Sequence, residues 1–273
     1  MSRALITGIT GQDGSYLAEI LVQRKWKVFG MVRRVSSQSF WRLATVIENI
    51  EIVQGDITDL ASLLRVIEEV QPTHVFNLAS QSFVPTSWKQ PILTSTVTGL
   101  GALNVFEACR IRCPDAKIYQ ASSSEMFGLQ PIGTSQDENT SFHPRSPYGC
   151  SKVFAHNMGI NYRESYDMYI SCGILFNHES ERRGTEFVTR KIAVAAARIA
   201  LGLQHKLELG NMDASRDWGF AKDYVLAMIL MVEQDTPDDF VIATGKTNTV
   251  REFVQHAFEH VSLDWKQYIE TDA

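Results

Sequence analysis

The sequence predicts an α/β fold built on a doubly wound parallel sheet, followed by a smaller domain. Short apolar runs alternate with amphipathic stretches through the first two thirds of the chain, and these runs are nearly continuous, as in strands buried on both faces. After Asn177 the pattern changes to charged helices and shorter strands. We therefore expect domains at 1–176 and 177–273, with ligands bound at the carboxyl edge of the sheet.

Each element follows from this alternation. The predicted strands of the first domain are Ala4–Thr7, Val28–Val32, Glu51–Gln54, His74–Leu78, Lys117–Gln120 and Tyr169–Phe176. The predicted helices are Ser15–Arg24, Leu60–Val70, Ile92–Arg112 and Pro147–Tyr166. The second domain is expected to contain the strands Leu207–Gly210 and Phe240–Thr244.

Composition argues against several classes of protein. The 273 residues are 44% hydrophobic, enough for a full core, and the net charge of -5 comes without a long block of either sign. This balance does not suggest a nucleic-acid surface or a membrane-attracting face. We see no charged-then-apolar leader and no apolar run near the roughly 20 residues that span a bilayer, so we expect a cytoplasmic protein.

The four cysteines lie inside predicted regular elements. Cys109 and Cys113 are four residues apart on a helix, a spacing that is more often core packing than a metal site. We expect reduced thiols and no bound metal.

A glycine-rich turn follows the first strand. It comprises Gly8, Gly11, Gln12, Asp13 and Gly14, and a helical pattern follows it. Backbone N–H groups and a helix N-terminus can face a pyrophosphate there, because glycine lets the backbone approach closely. The alternative is a flexible turn, but the preceding strand and the following helix favour dinucleotide binding.

The next strands end in residues that suit the rest of a dinucleotide. Arg33 and Arg34 end the second strand where an acid would bind the ribose 2′-hydroxyl of NAD, and arginine suits a 2′-phosphate, so we expect NADP. Without the glycine turn, a solvated basic pair would be the better interpretation. Asp56 and Ile57 are candidates for adenine contacts, and the 77–81 segment for a position beneath the pyrophosphate and the nicotinamide ribose.

A Tyr-x-x-x-Lys pair occurs at Tyr148 and Lys152, near the start of a predicted helix. The two residues share a helix face, and an ammonium near a phenol stabilises the phenolate that a general base requires. Many such pairs are ordinary surface residues, but this one follows the fifth strand of a dinucleotide fold. We therefore expect Tyr148 to exchange a proton with a sugar hydroxyl.

Ser123 and Glu125 stand at the end of the fifth strand. Strand alternation predicts that both side chains point to one side and Ser124 to the other. Ser123 could then bind the oxygen that Tyr148 deprotonates, and Glu125 could act on a neighbouring carbon. The alternative is a helix cap.

A cationic cluster follows the last strand of the first domain. Several cations near a sheet edge suit the second pyrophosphate of a nucleotide sugar, although each arginine alone could lie on a solvated helix. His178 is either a strand-end histidine or a cofactor contact. The cluster comprises 177–184, Arg190, Lys191, Arg216 and Arg251.

These motifs resemble the extended short-chain dehydrogenase/reductase superfamily, and within it the GDP-mannose 4,6-dehydratase family. The matching stretches run along the whole chain: 4–18, 32–34, 120–128, 144–149, 173–180, 187–191, 217–219 and 241–245. The resemblance implies a Rossmann domain that binds NADP, a C-terminal domain that binds GDP-mannose, and a homodimer or homotetramer.

The resemblance also implies roles for individual residues. Catalysis falls on Ser123, Glu125, Tyr148 and Lys152. Cofactor binding falls on Gly8, Gly11, Gln12, Asp13, Gly14, Arg33, Arg34, Asp56, Ile57, Leu78, Ala79, Gln81, Ser82, Tyr148, Lys152, His178 and Arg183. Substrate binding falls on Ser82, Asn177, Val188, Lys191, Asn211, Arg216 and Arg251.

Three departures from the family pattern stand out. Ser123 replaces a common threonine and keeps the hydroxyl, whereas Glu181 replaces a usual proline and adds an acid beside the cations. The family continues past the position of Ala273 with a further arginine-containing segment, so we expect the substrate domain to be C-terminally incomplete.

The sequence thus predicts a lyase that dehydrates GDP-mannose to the 4-keto-6-deoxy sugar. The steps are oxidation at C4, elimination of water across C5 and C6, and hydride return to C6. A nucleotide-sugar 4-reductase or epimerase of the same superfamily is one alternative, although an epimerase does not need an acid at Glu125. A non-catalytic NADP-binding sensor is the other, but it would have no use for four catalytic side chains.

Overall fold

The computed structural model describes residues 1–37, 39–131 and 133–271, and it divides into two compact units. The first contains Met1–Phe176 and Ala221–Ile242. The second contains Asn177–Phe220 and the residues from Ala243 onward. The segment 221–242 therefore lies with the first unit, not with the other residues after 176, because its helix and strand complete the large sheet layer.

The first unit is built on a seven-stranded sheet in which every pairing is parallel. The strands are β1 Arg3–Thr7, β2 Lys27–Val32, β3 Glu51–Gln54, β4 His74–Asn77, β5 Lys117–Ala121, β6 Ile170–Leu175 and β10 Asp239–Ile242. Their spatial order is β10-β6-β5-β4-β1-β2-β3, so the strand order reverses between β1 and β4. Such a reversal opens a crevice at the carboxyl ends of the strands.

Helices cover both faces of this sheet. They are α1 Gln12–Gln23, α2 Leu60–Val70, α3 Val84–Lys89, α4 Pro91–Thr94, α5 Gly101–Arg112, α6 Pro147–Tyr166 and α8 Ala221–Glu233. Alternate residues of β1 face opposite layers: Ala4 and Ile6 pack in one hydrophobic cluster with α1 and α8, and Leu5 packs in another with α2, α5 and α6.

A π-helical segment, Ser95–Leu100, joins α4 to α5 into one helix, Pro91–Arg112. By length and composition this helix could cross a membrane, which differs from the sequence expectation that no run approached that length. Half of the apolar window is buried inside the protein, and Val105, Phe106 and Cys109 pack in the core beside α2 and α6. One side of this helix therefore forms part of the core.

The second unit has its own small core. Its elements are β7 Asn177–Glu179, α7 Val188–Ala200, β8 Leu207–Leu209, β9 Ser215–Phe220, β11 Thr247–Thr249, α9 Val250–His260 and β12 Ile269–Thr271. They form a three-stranded sheet of order β11-β9-β7 and a parallel pair of β8 with β12, and α7 and α9 pack together in the apolar cluster of this unit.

Two element predictions need correction. The first helix begins at Gln12 rather than Ser15, because Gly11 serves as its N-cap and the glycine turn runs directly into the first helical turn. The strand predicted at Phe240–Thr244 is β10, which ends at Ile242 and pairs with β6 in the large sheet, Val241 opposite Ile174. Its apolar run is short because β10 is an edge strand of that sheet.

Candidate active site

The glycine turn is tightly closed. Gly8 has φ +72°, and a Cβ there would lie 2.9 Å from the backbone nitrogen of Ala79. A Cβ at Gly14 would lie 2.5 Å from the carbonyl oxygen of Gly8. The turn is closed by a hydrogen bond from Gly11 N to Gly8 O at 3.0 Å. These contacts leave no room for larger residues, so α1 starts against the end of β1 with its N-terminus facing the crevice.

A buried chain of side-chain hydrogen bonds links the carboxyl ends of three strands, and sequence reasoning missed it. The Thr7 hydroxyl donates to Asn77 Oδ1 at 2.7 Å and accepts the backbone N–H groups of Leu78 and Ala79, each at 3.1 Å. The Asn77 amide donates to Gln120 Oε1 at 2.8 Å. Polar residues at or next to the last position of a buried strand were the available signal. These hydrogen bonds fix the segment after β4 beside the glycine turn.

The segment after β4 holds four predicted cofactor contacts: Leu78, Ala79, Gln81 and Ser82. Gln81 is attached to the helix that covers it: its N–H donates to the hydroxyl of Thr98 at 3.3 Å, and Thr94 Oγ1 donates to Gln81 Oε1 at 3.2 Å. Thr98 lies in the π-helical segment. The π-helical turn therefore places the Thr98 hydroxyl against this loop.

The residues after β2 and β3 form a basic pocket of about 310 Å³. Asp56 is its acid, but Asp56 Oδ1 already accepts the N–H and hydroxyl of Thr58 at 2.9 and 2.8 Å. Ile57 is 6% exposed and packs in the core, so its side chain does not line the pocket. The lining residues are Arg33, Arg34, Gln54, Gly55, Asp56, Ser62 and Arg65.

Arg65 was not identified from the sequence. It comes from α2, and its Nη2 donates to the carbonyl oxygen of Gln54 at 2.7 Å. The pocket thus gathers three arginines from two separate parts of the chain. Such a pocket suits a dianionic phosphate.

The end of β5 differs from the prediction. The strand stops at Ala121 and Ser124–Met126 forms a 3₁₀ turn, so strand alternation does not place Ser123 and Glu125. Ser123 Oγ accepts the backbone N–H of Glu125 at 3.2 Å and is the N-cap of this turn. The capping alternative is therefore present in the structure, while the half-buried Glu125 side chain remains beside it.

The turn after β5 packs directly on the start of α6. A Cβ at Gly149 would lie 2.8 Å from the carbonyl oxygen of Glu125, so the two backbones touch where glycine permits it. Ser146 caps α6 by accepting the N–H of Gly149 at 3.0 Å. The contact between Gly149 and the Glu125 carbonyl brings Glu125 to the helical turn that carries Tyr148.

Tyr148 and Lys152 lie on one face of α6, and both are buried. The Lys152 ammonium lies 5.6 Å from the centre of the Tyr148 ring and donates to the carbonyl oxygen of Ala121 at 2.7 Å. Burial lowers the pKa of Lys152 to about 8, and the carboxylate of Asp13 opposes that shift. The lysine is therefore fixed between β5 and the tyrosine.

The predicted residues of the second unit have partners of their own. Lys191 Nζ donates to Glu208 O at 2.7 Å, and Arg251 Nη2 donates to Asp213 Oδ1 at 2.8 Å. Asn211 Oδ1 accepts the N–H of Asp213 at 2.9 Å, so Asn211 and Arg251 meet around one loop.

The other predicted residues of this unit lie on β7, α7 and β9 or in the segment that joins β7 to α7. The guanidinium of Arg183 lies 3.7 Å from the centre of the Phe187 ring, and its Nε lies 3.4 Å from Glu179 Oε2. The residues are Asn177, His178, Arg183, Val188 and Arg216. Their roles in binding stay predictions.

The first unit therefore combines a glycine turn that suits a dinucleotide with side chains on adjacent elements that can transfer protons. A phenol with a neighbouring ammonium can move a proton, a hydroxyl can hold an oxygen, and a carboxylate can act as a base. Ser123 and Glu125 follow the carboxyl end of β5, and Tyr148 and Lys152 lie in the first two turns of α6, on the same edge of the sheet as the glycine turn.

Comparison with known proteins gives a consistent result. A family model described as GDP-mannose 4,6 dehydratase matches residues 5–273. GDP-mannose 4,6 dehydratase 1 of Arabidopsis thaliana is 50% identical, with 98% of this chain and 77% of that protein covered. GDP-mannose 4,6 dehydratase of Homo sapiens is 48% identical, with 94% and 72% covered. Among solved structures, UDP-glucose 4-epimerase of Thermus thermophilus in complex with NAD has a TM-score of 0.86 at 25% identity, with 98% and 85% covered.

Proposed function

Because this chain belongs to the GDP-mannose 4,6-dehydratase family, we propose that it converts GDP-mannose to GDP-4-keto-6-deoxymannose. The observation that carries the proposal is the contact between the turn after β5 and the start of α6. It brings Ser123 and Glu125 to the helix that carries Tyr148 and Lys152. All four positions hold side chains able to do the required proton chemistry.

A nicotinamide cofactor fits the first unit, because the close contacts that exclude a Cβ at Gly8 and Gly14 bring the N-terminus of α1 to the end of β1, where its N–H groups can face a pyrophosphate. When bound, the cofactor would supply a reversible hydride acceptor for the oxidation at C4 and the reduction at C6. Gly8, Gly11 and the first turn of α1 would hold its pyrophosphate. Lys152 would bind the nicotinamide ribose.

We assign the cofactor as NADP rather than NAD. The pocket lined by Arg33, Arg34 and Arg65 suits the 2′-phosphate, and Asp56 is already bonded to Thr58. Asp56 is the single carboxylate in this lining, against three arginines, so the charge of the pocket favours a 2′-phosphate over the ribose 2′-hydroxyl that NAD would present.

The chain's own residues then divide the proton transfers. Tyr148, as phenolate beside the Lys152 ammonium, removes the proton of the 4-hydroxyl, and Ser123 donates a hydrogen bond to the same oxygen. The resulting ketone acidifies the C5 proton, which Glu125 removes. Glu125 then passes this proton to the 6-hydroxyl, which leaves as water. When hydride is returned to C6, C5 takes a proton from solvent, and Tyr148 releases its proton to solvent, so the protons balance.

The enzyme is expected to work in the cytoplasm and as a homodimer or homotetramer. All four cysteines are unpaired thiols, as suits a reducing compartment. Large apolar side chains are exposed on adjacent elements α3, α4 and α6, which suits contact with a second copy: Trp88, Ile92, Leu93 and Phe154. Light scattering with Phe154→Glu tests this, since the variant should lose the oligomer and a monomeric wild type would contradict it.

The function is tested with purified enzyme, GDP-mannose and no added cofactor. The proposal predicts a 4-keto-6-deoxy product, identified by mass spectrometry, with no lasting change at the absorbance of reduced nicotinamide. A reductase would instead need added NADPH and consume it in proportion to product, and an epimerase would change no mass. A pure binding protein would leave GDP-mannose intact. GDP-glucose serves as the comparison substrate.

A further inference from the structure

A buried polar cluster lies behind the proposed catalytic groups, and the mechanism above does not use it. His156 is 2% exposed and Ser122 is 7% exposed. His156 Nδ1 lies 3.0 Å from Ser122 Oγ, and its Nε2 lies 3.7 Å from Asp239 Oδ2. The cluster thus connects α6, the end of β5 and the edge strand β10.

His156 continues the row of functional residues on α6. Tyr148, Lys152 and His156 are spaced by four residues, so they share one face of the helix. Lys152 bonds the carbonyl oxygen of Ala121, and His156 bonds the side chain of Ser122, the next residue. Two successive residues of the β5 terminus are therefore fixed to two successive turns of α6, immediately before Ser123.

The surroundings determine the form of the imidazole. The Asp239 carboxylate faces Nε2 and favours the proton there, which leaves Nδ1 to accept the Ser122 hydroxyl proton. Burial lowers the pKa of His156, Asp239 opposes this shift and the guanidinium of Arg163 adds to it. The ring is therefore neutral at pH 7, and Phe142 packs edge-on against it at 5.2 Å between ring centres.

The cluster does not favour a metal ion, although His156, Cys172 and Asp239 lie within 4.8 Å of one another. Arg163 Nη2 already lies 2.6 Å from Asp239 Oδ1 and supplies a positive charge there. Burial also raises the pKa of the Cys172 thiol well above its ordinary value, so it is protonated. A cation would have to displace the arginine and the thiol proton.

We propose that His156 is a positioning residue, which holds the Ser122–Glu125 segment in register with Tyr148 and Lys152 through its bond to Ser122. The inference rests on the proposed function, because it explains how that site keeps its geometry. Displacing reacting groups by about 1 Å can cost on the order of a hundredfold in rate without loss of binding. His156 should therefore affect kcat and leave KM almost unchanged.

The first experiment measures kcat, KM for GDP-mannose and NADP affinity of the holoenzyme variants. His156→Phe keeps the ring and its packing on Phe142 but cannot accept the Ser122 proton, so kcat should fall by about ten- to a hundredfold. KM and NADP affinity should stay within about twofold. His156→Asn, whose amide oxygen can take the place of Nδ1, should recover kcat to within about threefold of wild type.

Two further variants separate positioning from simple stability. Ser122→Ala should lose as much kcat as His156→Phe, and the double variant should lose no more than either single variant, because both remove one bond. Phe142→Leu loosens the packing on the ring without removing a hydrogen bond, so it should lower Tm and leave kcat within about twofold. Each kcat refers to protein verified as folded by circular dichroism.

The second experiment does not depend on activity. In ¹⁵N-histidine-labelled enzyme at pH 7, the signals lost in His156→Phe should be those of a neutral ring with the proton on Nε2. A cationic ring or a proton on Nδ1 would overturn the inference, as would full kcat in His156→Phe, no recovery in His156→Asn, or equal kcat loss in Phe142→Leu. If wild type does not convert GDP-mannose, the proposed function fails, and the tautomer alone decides this inference.

Discussion

Lys152 offers the sharpest quantitative prediction, because a buried ammonium costs stability that a neutral side chain does not. The lysine is 3% exposed, and its one hydrogen bond in the described structure goes to Ala121 O at 2.7 Å. Burial lowers its pKa from 10.5 to about 8. Replacement by methionine keeps the length of the side chain and removes the charge.

The pKa shift sets the magnitude and the sign. Since the folded-state pKa lies below the unfolded value, the folded protein binds fewer protons between pH 8 and 10.5, and its stability rises with pH across that window. Below pH 8 the full penalty applies, about 3 kcal/mol at about 1.4 kcal/mol per pH unit. Loss of the hydrogen bond to Ala121 costs the variant about 1 kcal/mol.

Without cofactor, the Lys152→Met variant should therefore have a free energy of unfolding about 2 kcal/mol higher than that of wild type at pH 7. The difference should shrink above pH 8 and fall to about zero near pH 10, where the remaining burial penalty equals the cost of about 1 kcal/mol for the lost hydrogen bond. The same variant should lose turnover, because Tyr148 loses its ammonium. A gain in stability with a loss of activity is common at active sites.

Urea unfolding of both proteins at pH 7, 8, 9 and 10 measures this difference. Groups common to the two proteins cancel in the comparison, so the pH dependence reports on Lys152 alone. Lys266→Met removes an exposed lysine in the second unit and should give a difference close to zero throughout. A variant less stable than wild type at pH 7, or a difference independent of pH, would refute the argument that burial dominates at Lys152.

Three other changes test separate parts of the proposal. Arg33→Asp should weaken NADP binding by about tenfold or more and narrow or reverse the preference over NAD, because repulsion replaces attraction to the 2′-phosphate; titration of both cofactors checks this, and an unchanged ratio would remove Arg33 from the cofactor site. Tyr148→Phe should fold, bind NADP and lose about a hundredfold or more in kcat, whereas near-normal turnover would contradict its role as the base. Glu125→Gln should lose dehydrated product far more than C4 hydride exchange, and wild type should gain one solvent deuterium at C5; near-normal dehydration by Glu125→Gln would favour a reductase or epimerase.

Much of the first unit could be predicted from the sequence. The helices at Leu60–Val70 and Pro147–Tyr166 and the strand at Glu51–Gln54 have the predicted bounds. Local patterns suffice there, because an amphipathic period and a capping residue are properties of neighbouring residues. The glycine turn is also recognisable locally, since a strand, three glycines and a helix are contiguous.

The sequence was misleading where a neighbouring segment decides the outcome. Phe240–Thr244 looked like a strand of a small second domain, but its backbone pairs with β6, more than sixty residues earlier in the chain. The alternation drawn through Ser123 and Glu125 failed because β5 ends at Ala121, where the chain turns to meet Gly149. A strand continues only as long as a partner is available.

The sequence by itself therefore determined the fold class and the family and predicted the reacting side chains, because these depend on residue types at short spacings. Only the tertiary structure decided which buried polar groups meet. The bonds from Thr7 to Asn77 and from Ser122 to His156 join residues that are 70 and 34 positions apart. Their partners are chosen by sheet order and helix packing, since a buried polar group must find its hydrogen bond wherever the folded chain supplies one.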